Sequence, residues 1–301
     1  MPAFKVLLKE LRAEFLTASV MPVVVSALIA RHETGLFDPL LFALTLAGAV
    51  FLHLGTNVAN DYYDNRSGTD VVNRDFVRPF TGGSRLIQEG LITPRAVLTL
   101  AIVLFAAGAA VGVVLTALAG PVILLLAAAG IVSGYFYTAP PFKFAHRGFG
   151  EFLVGLNFGL LIFIGTYYVQ ARTVSAGCIV ASLPLTLLVT AIILINEFQD
   201  SAADALVGKR TLVVRTGNRS AVWVFGAVAA AAYAPIAAGT VLRIMPPPTL
   251  IGLATLPLMA KAVLTARSSY DAPQRLTPAN ALTITSHLLT GILLAVGYLL
   301  A

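Results

Sequence analysis

Charge is scarce in this chain. Only 11% of its residues are Asp, Glu, Lys or Arg, against roughly 25% in soluble domains. With 58% hydrophobic residues and a mean hydropathy of +0.87, a soluble globular class is excluded and an integral membrane protein is implied. The single cysteine, Cys178, rules out an intramolecular disulfide, so no oxidising compartment is indicated. The four histidines, His32, His53, His146 and His287, are scattered and joined by no cysteine cluster, which argues against a zinc site. No small-residue cleavage site follows the basic start (Lys5, Lys9, Arg12), and the first apolar stretch is expected to stay as an anchor. The formal charge of +6 reads as membrane topology and not as nucleic-acid binding.

What is present in abundance is apolar sequence of membrane-spanning length. Nine runs lie at about 14–31, 39–60, 96–118, 121–139, 151–170, 176–198, 220–241, 248–266 and 279–300. Gly and Ala recur within them ("AAGAAVGVV", "AAAGIVSG"), as close helix packing in lipid requires. Pro22, Pro184 and Pro235 fall inside runs, where membrane helices tolerate kinks. With the N-terminus in the cytoplasm, 17 of the 20 Lys and Arg fall on the cytoplasmic side, leaving Arg31, Arg172 and Arg243 outside. The expectation is an all-α bundle of nine transmembrane helices, 1–301 as one domain, with the C-terminus on the opposite side. The long loops, after runs 2, 4, 6 and 8, all lie on the cytoplasmic face, and long loops in a tight bundle carry function.

Acids share that face. In "NVANDYYDNRSGTD", Asn57, Asn60, Asp61 and Asp64 fall on one side of a helix, with Asp70 beyond. In "NEFQDSAADALVGKRTL", Asn196, Asp200 and Asp204 step along one helical stripe. Each group ends a long apolar run, the second and the sixth. Same-face carboxylates repel unless a cation lies between them, and acids at membrane depth point to function. Carboxylate and amide oxygens suit a hard ion, Mg²⁺ or Ca²⁺, and Mg²⁺ favours a few carboxylates plus phosphate oxygens. Arg66, Arg74, Arg78 and Arg85 follow the first group, Lys209 and Arg210 the second, and Lys143 lies in the loop between. Two acidic clusters ringed by basic residues describe a diphosphate clamp, and at the mouth of an apolar bundle the diphosphate should carry an apolar tail.

These residues resemble the UbiA superfamily of intramembrane prenyltransferases. Asn60, Asp61, Asp64 and Asp70 match its first motif, and Asp200 and Asp204 its second. "TGGSRLIQEGLITPR", "YTAPPFKFAHRGFGE" and "GKRTLVVRTG" are similar too, most like the MenA-type branch that prenylates 1,4-dihydroxy-2-naphthoate on the way to menaquinone. Gly68 and Gly208 stand where some relatives carry further acids.

The resemblance implies Mg²⁺-dependent transfer of a polyprenyl group from its diphosphate to an aromatic acceptor in a prokaryotic cell membrane, with the site facing the cytoplasm. It assigns Asp64, Asp200, Tyr137 and Lys143 to catalysis. Metal ligation falls to Asn60, Asp61, Asp64, Asp70, Asn196, Asp200 and Asp204, and diphosphate binding to Asn57, Arg78, Arg85, Lys143, Lys209 and Arg210. Glu151 is expected to orient Lys143 or Tyr137, while Glu197 and Gln199 could face the site or a neighbouring helix. Other acceptors of the superfamily (4-hydroxybenzoate, homogentisate, an isoprenyl-glycerol phosphate) remain alternatives. So does a secondary transporter, although transporter sites tend towards the bilayer midplane. The sequence sets no oligomeric state.

Overall fold

Each of the nine apolar runs carries a helix, and no strand occurs among the described residues, 4–301 of this computed structural model. We label these helices α1 (Thr17–Thr34), α2 (Pro39–Ser67), α3 (Pro94–Ala119), α4 (Val122–Tyr135), α5 (Gly150–Ala171), α6 (Ala176–Leu206), α7 (Asn218–Val241), α8 (Pro247–Ser269) and α9 (Pro273–Leu299). Their starts are written locally. Asp38 accepts from the Leu40 and Leu41 amides ahead of Pro39, and Thr93 accepts from Ala96 ahead of Pro94. Proline at the first helical position costs no hydrogen bond, because that amide has no intrahelical partner. Ser175 caps α6 through the Cys178 amide at 2.9 Å.

Seven helices, α2, α3 and α5 to α9, are long and apolar enough to cross a membrane. An eighth span forms if the N-terminal segment Phe4–Phe15 is joined to α1, which it meets at 53°. The chain is thus an integral membrane protein. The ninth apolar run behaves differently: α4 has 14 residues, rising about 21 Å against a hydrocarbon core of roughly 30 Å. It stops at Tyr135 because Pro140 and Pro141 cannot extend a helix and bias the preceding residue away from it. The rest of the 121–139 run is a loop.

Two main apolar cores hold the bundle, beside a small third one of Leu41, Leu115, Ala119, Ile123 and Val169. The larger centres on α6 (Leu185, Leu188, Leu194, Ile195, Phe198) and draws in α1, α5, α7, α8 and α9. The smaller joins α2 and α3 (Leu54, Val58, Val97, Phe105) to Leu86 and Ile92 of the loop between them. Both α2 and α6 outrun their apolar sequences, to Ser67 and Leu206. Those last turns carry the acids.

Candidate active site at the mouth of the cavity

A cavity of about 340 Å³ runs between α1, α2, α3, α4, α5 and α6. Its far end is apolar, walled by Leu115, Ile123, Leu126, Leu161 and Val169. Its near end is polar and acidic: Asn57, Asn60, Asp64, Asp70, Asn196, Asp200 and Asp204 all line it, with Asn73, Tyr137, Glu197 and Lys209. The ends of α2 and α6, far apart in sequence, therefore face one space.

Two glycines shape the mouth. Gly68 closes α2 at φ 87 and lets the chain turn into the short helix Thr69–Val72, which carries Asp70. Gly208, at φ 74, turns the chain back after α6. The Lys209 amide then donates to the Asp204 carbonyl at 2.8 Å, returning the lysine beneath its own helix. Left-handed backbone of this kind favours glycine over an acid with a Cβ. The positions where relatives place further acids thus serve here as turns.

Lys209 Nζ lies 3.3 Å from Asp204 Oδ1 and 3.8 Å from Asp64 Oδ2. Burial alone would favour the neutral amine. Asp64 and Asp204 outweigh it and hold the ammonium well above the usual lysine range. Even so, Asp64 Oδ1 and both Asp204 oxygens are buried without a hydrogen-bond donor. Asp200 is better served: the Asn73 side-chain amide donates to its Oδ1 at 2.7 Å and ties the loop after α2 to α6. Asn60 donates to Asp64 Oδ2 at 2.9 Å, and Asn196 accepts from Asn280 at 2.7 Å. Asp70 is pushed up to about 9 by burial and by the neighbouring Asp64 and Asp61. Tyr137 is held above the usual phenol range by burial and by Glu197.

Other predicted residues lie elsewhere. Asp61 does not line the cavity. Its oxygens accept from the Ser84 amide at 2.9 Å and from Arg12 at 3.4 Å. Arg85 donates to the Asp70 carbonyl and lies over the Phe76 ring. Arg78 pairs with Glu89 at the surface. Lys143 and Arg210 are absent from the cavity wall; Arg210 is exposed, with its amide on the His146 carbonyl. Glu151 accepts from the Leu212 amide at 2.6 Å, Glu197 lines the cavity, and Gln199 donates to the Pro273 carbonyl. Sequence reasoning passed over Asn73, Ser84 and Arg12. Only Ser84 had a signal, within the "TGGSR" stretch.

Among the described residues no three His, Cys, Asp or Glu side chains converge into a ready metal cage. Donorless buried carboxylate oxygens on Asp64 and Asp204, with Asp70 and Asp200 on the same wall, are still the chemistry a hard cation needs.

The chain belongs to the UbiA prenyltransferase family, whose profile matches residues 19–287, and is thus a membrane-embedded transferase. It is 35% identical over 226 residues to the 1,4-dihydroxy-2-naphthoate octaprenyltransferase of Mycobacterium tuberculosis, covering 75% of this chain and 74% of that one. It is 25% identical over 296 residues to the 2-carboxy-1,4-naphthoquinone phytyltransferase of Synechocystis, covering 98% and 93%. A UbiA homologue from Archaeoglobus fulgidus, solved bound to DMAPP and Mg²⁺, shares the fold with a TM-score of 0.64 at 17% identity, covering 96% of this chain and 98% of that one. Family membership sets the transporter alternative aside.

Proposed function

We propose that this protein transfers a polyprenyl group from an allylic polyprenyl diphosphate to 1,4-dihydroxy-2-naphthoate, a step of menaquinone synthesis. The observation that carries this reading is a cavity with an apolar body and one acidic mouth, where Lys209 stands between Asp64 and Asp204. Such a cavity is divided as the donor is, hydrocarbon tail from diphosphate. The names of the Mycobacterium and Synechocystis relatives support the naphthoate acceptor.

Mg²⁺ would be held by Asp64, Asp204, Asp200 and Asp70, and when bound it supplies charge neutralisation for the departing diphosphate. The chain's own residues do the rest. Lys209 presents an ammonium to the same leaving group as the allylic C–O bond breaks and its electron pair passes to diphosphate. Asn73 fixes Asp200, and Asn60 fixes Asp64. The Tyr137 ring lines the cavity beside this mouth, and a ring face attracts the allylic cation. Apolar walls keep water from that cation. A ring carbon of the acceptor then bonds to the allylic carbon, and carboxylate leaves as CO₂ with its electron pair returned to the ring.

We also infer that all nine helices cross the membrane, the 14-residue α4 through a locally thinned bilayer, that residues 1–301 form one domain, and that the mouth faces the cytoplasm of a prokaryotic cell. The charge asymmetry supports the orientation, and one cavity walled by α1 to α6 supports the single domain. The test is incubation of purified protein with Mg²⁺, a series of polyprenyl diphosphates and the acceptors named above, with products read by mass. A prenylated, decarboxylated naphthalenediol is expected. Product from 4-hydroxybenzoate or homogentisate alone would contradict the acceptor.

A further inference from the structure

Two cationic side chains line the cavity among the described residues, Lys209 and Arg12. The proposed reaction brings two anionic groups into the same space, the donor's diphosphate and the acceptor's carboxylate. Lys209 is surrounded by Asp64 and Asp204 and belongs to the diphosphate. Arg12 enters from the side of α1 and α2, together with Phe15, Thr17, Ala18, His53 and Asn57.

Arg12 is placed there by its surroundings. It sits at the break between the N-terminal helix and α1 in left-handed backbone, φ 51 and ψ 47. Single non-glycine residues held in that conformation are uncommon, and they gather at ligand-binding positions. Two residues before it, Glu10 is fully buried and accepts from the Ser84 hydroxyl at 2.6 Å. On either side, Leu11 and Leu16 pack against the α2–α3 core. Its guanidinium lies over the Phe15 ring, 5.2 Å from the centroid, and has one side-chain hydrogen-bond partner among the described residues, Asp61 Oδ1 at 3.4 Å. The other Asp61 oxygen already accepts from Ser84. A guanidinium carries five N–H donors in a planar fork matched to a carboxylate, so most of its capacity is open.

The adjoining wall suits the rest of an oxygenated ring. The Asn57 amide nitrogen is buried with no hydrogen-bond partner. His53 is fixed by Ser19, whose hydroxyl lies 2.6 Å from Nδ1, and by the edge of Phe158 at 4.6 Å.

Resting on the function proposed above, we propose that Arg12 binds the carboxylate of the aromatic acceptor and so selects carboxylated acceptors, with Asn57 beside it donating to a ring oxygen. Both relatives named above carry a carboxylate in their acceptor's name.

The test compares wild type, Arg12→Gln and Arg12→Lys in the full-length membrane protein. Each is given 1,4-dihydroxy-2-naphthoate or its carboxylate-free analogue 1,4-dihydroxynaphthalene, at saturating donor. Arg12→Gln should raise KM for the naphthoate by about ten- to a hundred-fold, the range of a lost charge-assisted pair. It should leave KM for the prenyl diphosphate and the turnover of the analogue within about two-fold, and Arg12→Lys should recover part of the loss because it keeps charge without the fork. An acceptor preference unchanged in Arg12→Gln, or a donor KM that rises in step, overturns the assignment. If Arg12→Gln does not fold, an acceptor preference unchanged in Arg12→Lys overturns it equally. Failure of the wild type to prenylate either acceptor overturns the functional reading itself, a separate outcome.

Discussion

The ends of α2 and α6 use the same residue types and are held in different ways. At the α2 end the protein supplies donors to its own acids, though not completely: Asp61 takes the Ser84 amide and Arg12, Asp64 takes Asn60 on one oxygen and leaves the other bare, and the Gln88 amide approaches Asp70, just past the helix, at 3.4 Å. On α6, Asp200 has Asn73, but Asp204 has only the charge of Lys209 and no hydrogen bond to either oxygen. A carboxylate braced by donors is part of the fold, and removing it leaves those donors unpaired. A buried carboxylate without donors contributes little to folding and stands ready for a cation. The contrast separates residues that build the mouth from residues that work in it.

Substitutions can break that contrast, beginning with the largest effect. Asp204→Asn and Asp64→Asn should each lower prenyl transfer by about a thousand-fold while leaving the thermal midpoint unchanged or raised. Normal turnover in either would remove the metal–diphosphate role. Lys209→Gln should cost about a hundred-fold in kcat/KM, with KM for the diphosphate rising. Asn73→Ala should slow transfer about ten-fold, because Asp200 loses the Asn73 donor in a buried setting; steady-state kinetics at saturating Mg²⁺ reads this. Asp61→Ala should act through stability, by about 2–3 kcal/mol in denaturant or thermal unfolding. A thousand-fold kinetic loss at unchanged stability would instead make Asp61 a metal ligand. Smallest of all, Lys143→Ala and Arg210→Ala should change kcat/KM by no more than about two-fold, because neither side chain lines the cavity.

Helical spacing made much of this mouth legible. Asn57, Asn60 and Asp64, and Asn196, Asp200 and Asp204, lie on single stripes at the ends of apolar runs, so two faces could be drawn without coordinates. Basic residues were less legible. Counting loop arginines cannot tell that Arg85 folds back onto the Asp70 carbonyl while Lys209 turns inward at Gly208. Asn73 and Arg12 act wholly through tertiary contacts, and no local pattern marks them. The run at 121–139 reads as helix to its end because hydropathy does not register where the helix stops. Only the proline pair shows why α4 ends at Tyr135.

Metal dependence of prenyl transfer is the most direct measurement of all. Purified protein treated with EDTA should form no prenylated naphthalenediol from polyprenyl diphosphate and 1,4-dihydroxy-2-naphthoate. Added Mg²⁺ should restore product in the wild type and fail to restore it in Asp204→Asn. Full activity in EDTA, or equal rescue of the variant, would contradict a mouth built to hold a cation between α2 and α6.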